Sequence, residues 1–396
     1  MTHKKPISHF ITQDESAQYF EVGYSCDNAI LLCLGNERVF ITDARYTTEA
    51  SENLASGVEL VQSNNLLESA ISILSKSAIK SLSFDSAQLS VSAFEKLKSK
   101  IELKPAPNFH QILRIRKSEQ EISLIKESQR LNKEAYKRFA KIIDEICSDT
   151  NSAYKEVFLG DSRILSEKEL FAIAKVVLES GGKYDLSFSP ILAINQNAAK
   201  PHALPSDKSL QNGDLLLFDA GIKYKRYCSD MTRTARINFE CEDFERKDFE
   251  QENFEREGFE CKNASKPKLH SAKSGGTHFD KAQDFADKEL QKIYDTVLKA
   301  QETCIKNLRA GMSAKQIDAL ARDVIQKAGF GKYFSHSTGH GIGLDIHEQP
   351  FISTRSETII EDNMVFSIEP GIYIPQHYGV RIEDLVVVRG GRAEVL

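Results

Sequence analysis

The chain has 396 residues, of which 41% are apolar and 28% charged, and its formal net charge is −5. That length supports two domains with ordinary cores, and the balance is that of a soluble globular protein. The mildly acidic charge excludes the basic footprint of a nucleic-acid binder, so no nucleic-acid partner is expected. No apolar run reaches the roughly 18 residues of a membrane span, so no membrane partner is expected either. The start, Met1-Thr-His-Lys-Lys-Pro-Ile-Ser-His-Phe10, has lysines but no apolar stretch behind them, and no secretory leader is predicted. Seven cysteines, an odd number with no C-x-x-C, suggest neither a disulfide framework nor a cysteine zinc site. A cytoplasmic location fits this best.

Residues 1–112 alternate strand-like and helical runs. Ala29–Leu34 and Arg38–Thr42 flank Gly35-Asn36, a hairpin signal. A charged helix is predicted over Ser92–Lys100, and Lys104-Pro105-Ala106-Pro107 reads as a linker. Ser118 to Glu121 is a capping box that opens a long amphipathic helix to about Ile146. A second box, Ser166 to Glu169, opens a helix that stops at Gly181-Gly182. Strands follow at Pro190–Ile194, Asp214–Phe218 and Cys228–Ile237.

Residues 239–278 break this trend, because Phe239, Phe244, Phe249, Phe254 and Phe259 recur every five residues among charges. That period suits neither a helix nor a strand, so a solvated insertion is predicted. Helical spacing resumes with Ile293, Val297, Ala300, Cys304 and Leu308. A third box, Ser313 to Gln316, precedes Ile317, Leu320, Ala321 and Val324 on one face. Helices thus precede strands once on each side of the insertion, which suggests two similar α+β halves.

Chemistry concentrates in a few residues. Asp219 and Asp230 lie on strand-like segments. If the chain between them turns at Tyr224-Lys225 they are directly opposed, with Cβ atoms about 4.5–5.5 Å apart. That suits two carboxylates gripping a metal pair about 3.5–4 Å apart. Glu369 and Glu383 repeat the device around a turn near Gln376. Four converging carboxylates repel one another strongly, and divalent cations remove that cost. His336, His340 and His347 cluster in a Gly-rich run whose glycines permit close backbone approach. His202, in Lys200-Pro201-His202-Ala203-Leu204-Pro205, is a fainter candidate.

These residues resemble the pita-bread metallopeptidases, in the branch of Xaa-Pro aminopeptidase and Xaa-Pro dipeptidase (prolidase). The matching segments are Pro201-His202, Asn212–Gly221, Tyr227–Thr234, His336–Glu348, Ile368–Tyr373 and Val380–Asp384. Thr42–Tyr46 and the region around it look like the creatinase-type N-terminal domain of that branch. The resemblance covers nearly the whole chain outside 239–278. It implies an α+β fold, with a creatinase-like N-terminal domain at 1–112 and a catalytic domain at 113–396 built on a curved antiparallel sheet.

It also implies roles for residues. Asp219 chelates one metal, His340 and Glu369 bind the other, and Asp230 and Glu383 bridge both. Oxygen-rich ligation favours Mn²⁺, with Co²⁺, Fe²⁺ or Zn²⁺ as alternatives. The metals activate a water, with Glu369 as general base. His347 and His202 stabilise the tetrahedral intermediate, and His336, Tyr373 and Arg381 line the proline site. The implied reaction is hydrolysis of the Xaa-Pro bond in peptides with proline second, an aminopeptidase reading with the dipeptidase as alternative. Relatives are commonly dimers, so a homodimer is the implied assembly, although the residues themselves fix no subunit count.

Three features depart from the pattern: the insertion, Arg226 where a Gly is common, and the absence of tryptophan. Methionine aminopeptidases share the metal set but usually lack the N-terminal domain and place the last Glu in a different motif. Non-enzymatic pita-bread binding modules lose ligands that are all present here.

Overall fold

The computed structural model describes residues 7–148, 165–237 and 278–396. The Phe-repeat insertion predicted at 239–278 therefore lies outside the described residues, apart from His278, which opens a helix. The chain divides into two compact units, Met1–Arg114 and Ile115–Leu396. Among the described residues, no helix is long and apolar enough to cross a membrane.

The first unit is a six-stranded mixed sheet. Its strands are β1 (His9–Thr12), β2 (Ala29–Leu34), β3 (Glu37–Thr42), β4 (Val58–Gln62), β5 (Ser81–Phe84) and β6 (Glu102–Pro105), in the order β4-β3-β2-β1-β5-β6. Helices α1 (Glu15–Val22), α2 (Thr47–Asn53), α3 (Leu66–Lys76), α4 (Val91–Lys98) and α5 (Phe109–Leu113) complete it. Every residue of β2 is buried. Ile30 and Leu32 join one apolar cluster and Leu31 and Cys33 the other, so the strand reads as a continuous apolar run because both faces are covered. Gly35-Asn36 makes the expected two-residue turn, with Leu34 paired to Glu37 and Gly35 at φ 73°. One expectation is corrected. Lys104 and Pro105 are not linker but the end of β6, at the sheet edge, where a missing N–H is tolerated.

The second unit has two halves of like order. Helices α6 (Glu119–Ser148) and α7 (Glu167–Glu179) precede β7 (Asp185–Leu186), β8 (Ile191–Ile194), β9 (Leu215–Ala220), β10 (Ile222–Tyr224), β11 (Tyr227–Cys228) and β12 (Met231–Arg236). Helices α8 (His278–Asn307) and α9 (Ala314–Lys327) precede β13 (Gly339–Gly341), β14 (Glu348–Ile352), β15 (Val365–Ile368), β16 (Gly371–Ile374), β17 (Tyr378–Arg381), β18 (Asp384–Arg389) and β19 (Arg392–Val395). All pairings between these strands are antiparallel.

All three predicted capping boxes form, at Ser118, Ser166 and Ser313, each satisfying two orphan amides of a helix start. α7 ends where Ser180, Gly181 and Gly182 take positive φ. Each half has its own apolar core. Tyr136, Phe139, Leu170 and Ile173 back Phe218 and Leu216 in the first, and Ile293, Val297, Ile317 and Ala321 back Phe366, Ile368 and Val386 in the second.

Candidate metal centre

The four carboxylates come from two hairpins, and their registers differ from each other. Lys225 and Arg226 both take positive φ, 47° and 74°, so the first hairpin turns between them. This is one residue later than predicted, and it shifts every pairing by two. Asp219 pairs with Thr232, not with Asp230. The two aspartates are therefore diagonal neighbours on one face rather than directly opposed, a correction to the expected geometry. The second hairpin follows the prediction. Ile368 pairs with Asp384 on one side and Gly371 with Arg381 on the other, which brackets Glu369 across from Glu383.

These side chains converge. Ligand atoms of Asp230, His340 and Glu383 all lie within 4.8 Å of one another, and all three residues are buried. Nε2 of His340 is 3.5 Å from Asp230 Oδ2 and 3.3 Å from Glu369 Oε1. Its Nδ1–H donates to the Gly341 carbonyl at 3.1 Å, which leaves the Nε2 lone pair facing the carboxylates. Asp219 joins from the other side through an ion pair with Arg381 Nη2.

Electrostatics describe a centre short of positive charge. Burial raises Asp230 well above the usual carboxylate range, and the charges of Glu383, Asp219 and Glu369 raise it further. Burial does the same to Glu383, reinforced by Glu369 and Asp219. Glu369 is raised by burial against the opposing pull of His336 and Arg381. Burial lowers His340, which keeps its imidazole neutral. One oxygen on each of Asp219, Asp230 and Glu383 is buried with no hydrogen-bond partner. Buried carboxylate oxygens left unsatisfied are costly unless something else takes their lone pairs. An oxygen-rich set with one neutral imidazole is the donor chemistry of a hard or borderline divalent cation, so the residues present fit such an ion.

The remaining predicted residues surround this cluster. His347 is exposed. Its ring centroid lies 4.4 Å from that of His340 in an edge-to-face contact. Its pKa is lowered to about 4, first by desolvation and then by His340 and His202. His202 is also exposed. His336, Tyr373 and Arg381 form a chain: Arg381 Nη1 donates to the Tyr373 hydroxyl at 2.9 Å, which donates to His336 Nε2 at 2.9 Å. His336 Nδ1–H donates to the Ser337 carbonyl at 2.8 Å, which makes Nε2 the acceptor.

Several supporting residues carry no signal of their own in the sequence. Thr232 Oγ1 donates to Glu383 Oε2 at 2.7 Å and accepts from Arg381 Nε at 2.9 Å. Ser367 Oγ donates to Glu369 Oε1 at 3.1 Å and accepts the His340 amide at 3.0 Å. Both stand inside motifs noticed for other residues. Gln129 on α6 could not be found that way. Its amide clamps the Asp230 backbone, donating to the carbonyl at 3.0 Å and accepting from the N–H at 3.2 Å. Arg233 reaches across to the Glu383 carbonyl at 2.6 Å and to Asp384 at 2.7 Å.

Known proteins are similar to this chain in sequence and fold. The model of metallopeptidase family M24 matches residues 123–256 and 272–390, and that of the creatinase/prolidase N-terminal domain matches residues 1–116. The chain is 31% identical to an Xaa-Pro dipeptidase of Pyrococcus horikoshii over 314 residues, 78% of this chain and 71% of that protein. It is 29% identical to an uncharacterized peptidase of Bacillus subtilis over 96% of this chain and 90% of the other. Among solved structures, an Xaa-Pro dipeptidase from Bacillus anthracis superposes with a TM-score of 0.76 at 28% identity, covering 98% of this chain and 92% of that one. An X-Pro aminopeptidase from Thermotoga maritima gives 0.73 at 25% identity, covering 98% and 95%. With the family matched over most of its length, the chain belongs to metallopeptidase family M24, and it carries a creatinase/prolidase-type N-terminal domain ahead of a pita-bread catalytic fold.

Proposed function

We propose that the chain hydrolyses the peptide bond preceding proline and acts as an aminopeptidase on peptides with proline in second position. Residues 1–112 are the N-terminal domain and residues 113–396 the catalytic one. The observation that carries the reading is the buried cluster of Asp230, His340 and Glu383, with orphaned oxygens on Asp219, Asp230 and Glu383. Asp219 would hold one divalent cation, His340 and Glu369 a second, and Asp230 and Glu383 both, with Mn²⁺ favoured by the oxygen-rich set. When bound, such ions supply Lewis-acid polarisation of the scissile carbonyl and an activated water.

The chain's own groups do the rest. Glu369 Oε1, held by the Ser367 hydroxyl, takes up a proton and returns it to the departing amine. His347 stays neutral at pH 7 and offers an N–H to the substrate carbonyl oxygen, with His202 beside it. His336 and Tyr373 line the proline side. A dedicated pocket is needed there because the tertiary amide before proline has no N–H to be gripped. Four buried free cysteines, Cys26, Cys33, Cys228 and Cys304, suit the reducing cytoplasm.

Arg381 favours the aminopeptidase. A dipeptidase must pair the free carboxylate one residue past the cut, and this guanidinium is already engaged by Asp219, Thr232, Tyr373 and the Pro201 carbonyl. The Xaa-Pro dipeptidases among the relatives favour the dipeptidase as a second reading. Assay of Mn²⁺-loaded protein on Xaa-Pro beside Xaa-Pro-Yaa-Zaa decides between them, with turnover of the tetrapeptide expected. Activity confined to the dipeptide reverses the choice, and activity on neither removes the Xaa-Pro reading.

A further inference from the structure

Lys117 and Glu348 form an ion pair outside the carboxylate cluster. Nζ lies 2.5 Å from Oε1, and the side chains are 1% and 0% exposed. Removing two charges from water is expensive, and such pairs contribute little net stability compared with apolar packing. A buried pair of this kind therefore calls for some role besides holding the fold together. Its place supplies one.

Glu348 directly follows His347 and opens β14. Its carboxylate fills the inside of the turn at 342–347. Oε2 accepts the Asp345 N–H at 3.4 Å, and a Cβ at Gly343 would lie only 2.7 Å from Oε1. That position accepts glycine because the carboxylate is there. The outer side of the turn is tied down where the Cys228 N–H donates to the Gly343 carbonyl at 2.8 Å. Lys117 is itself fixed. Its N–H donates to the Asn363 carbonyl at 2.8 Å, and neighbouring Arg116 bridges to Met364, just before β15. The ladder slips its register between His340 and Gly341, directly opposite Glu348. A slip of that kind re-aims the side chains around it.

We propose that Lys117 and Glu348 are positioning residues whose ion pair fixes the 342–347 turn and so holds the His347 ring beside His340 over the carboxylate cluster. The catalytic consequence rests on the Xaa-Pro reading; the ordering of the turn does not.

The test compares wild type with Lys117→Met, Glu348→Gln, the double variant Lys117→Met/Glu348→Met, and Lys126→Met as control. Lys126 makes a surface pair with Glu394 at 2.6 Å. Four readouts are taken: kcat and KM on the Xaa-Pro peptide, bound metal, Tm, and amide exchange across 342–348. Each single variant lowers kcat about 10- to 100-fold with KM and metal content little changed, the scale expected when a group is displaced by about an ångström. Exchange at 342–348 accelerates about ten-fold or more while β9 and β12 stay protected. The double variant regains Tm because no lone charge is left buried. It does not regain kcat or protection, because the Asp345 N–H has lost its acceptor. Lys126→Met changes none of these. Unchanged exchange at 342–348 in the variants overturns the proposal, as does a double variant whose kcat recovers together with its Tm. A wild type inactive on every Xaa-Pro peptide sinks the functional reading, and the exchange data still decide the positioning role.

Discussion

His340, on β13, and His347, in the turn before β14, lie seven residues apart and differ in what each ring faces. His340 is buried, with one nitrogen committed to the Gly341 carbonyl and the other turned to carboxylates. His347 is exposed, and its ring meets His340 only edge-on. His347→Ala is therefore expected to lower kcat about 10²- to 10⁴-fold, the usual range for a proton-transfer or hydrogen-bonding group. Metal content should stay at the wild-type level, and metal loss in that variant would move His347 into the ligand set. Thr232 makes the opposite kind of case, since its hydroxyl is taken up by Glu383 and Arg381. Thr232→Val removes the donor to Glu383 and the acceptor for Arg381 Nε together. Leaving buried polar groups unsatisfied costs about 1–3 kcal/mol, so Tm should fall with or without substrate. Thermal unfolding checks this, and an unchanged Tm would show that neither bond matters. Both residues stood in visible motifs. The sequence named residue types suited to the chemistry but could not say which hydroxyl would brace which carboxylate, because that depends on pairing across residues 151 positions apart.

At the scale of elements, α6 does more than cover a core. Ser128, Gln129, Asn132 and Tyr136 follow helical spacing along one buried stripe. Ser128 donates to the Ile222 carbonyl at 2.9 Å, Gln129 clamps Asp230, Asn132 donates to the Ala220 carbonyl at 2.9 Å, and Tyr136 donates to the Met231 carbonyl. The helix thus meets the backbone of both strands of the Asp219–Asp230 hairpin through polar side chains. This stripe was not legible. Ser, Gln and Asn on a helix read as a solvated face, and only tertiary burial reverses that. The capping boxes were legible because their chemistry is local to four residues. The hairpin was legible as a hairpin, but the positive φ of Lys225 and Arg226, where Gly or Asn is more usual, hid the turn and misplaced the pairing of Asp219. Gln129→Ala removes both bonds to Asp230. It should destabilise the fold by about 1–3 kcal/mol and weaken metal binding, because the ligand's backbone is no longer held. Denaturant unfolding and a metal titration report the two effects, and retention of wild-type affinity would show that the pairing of β12 with β9 aligns Asp230 without help from α6.

At the scale of the whole catalytic unit, the cluster sits where two separately cored halves meet. The first half supplies Asp219 and Asp230, and the second supplies His340, Glu369 and Glu383. Side chains cross the seam in both directions, from Arg233 to Asp384 and from Arg381 to Asp219. The repeated order of helices then strands made the two halves readable in advance, because helical and strand periodicity are properties of each segment alone. Their common centre brings an electrostatic conflict that the metal-free fold resolves with protons. Burial and mutual repulsion raise Asp230, Glu383 and Glu369. A carboxyl whose folded pKa is raised stabilises the fold fully below its unfolded value of about 4 and loses that contribution as pH climbs through the folded pKa. The metal-free protein should therefore become less stable as pH rises above about 4 and through the raised values of these groups. A divalent cation binds the deprotonated groups, so its affinity, and with it the stabilisation it confers, should grow over the same range. An ion at one hundred times its Kd adds about 2.7 kcal/mol. Melting curves at several pH values, with chelator and with Mn²⁺, should show a gap in Tm that widens as the pH is raised. A gap that is constant or narrows with pH would mean that the cation does not replace protons on these carboxylates, and the ligand assignment would fall with it.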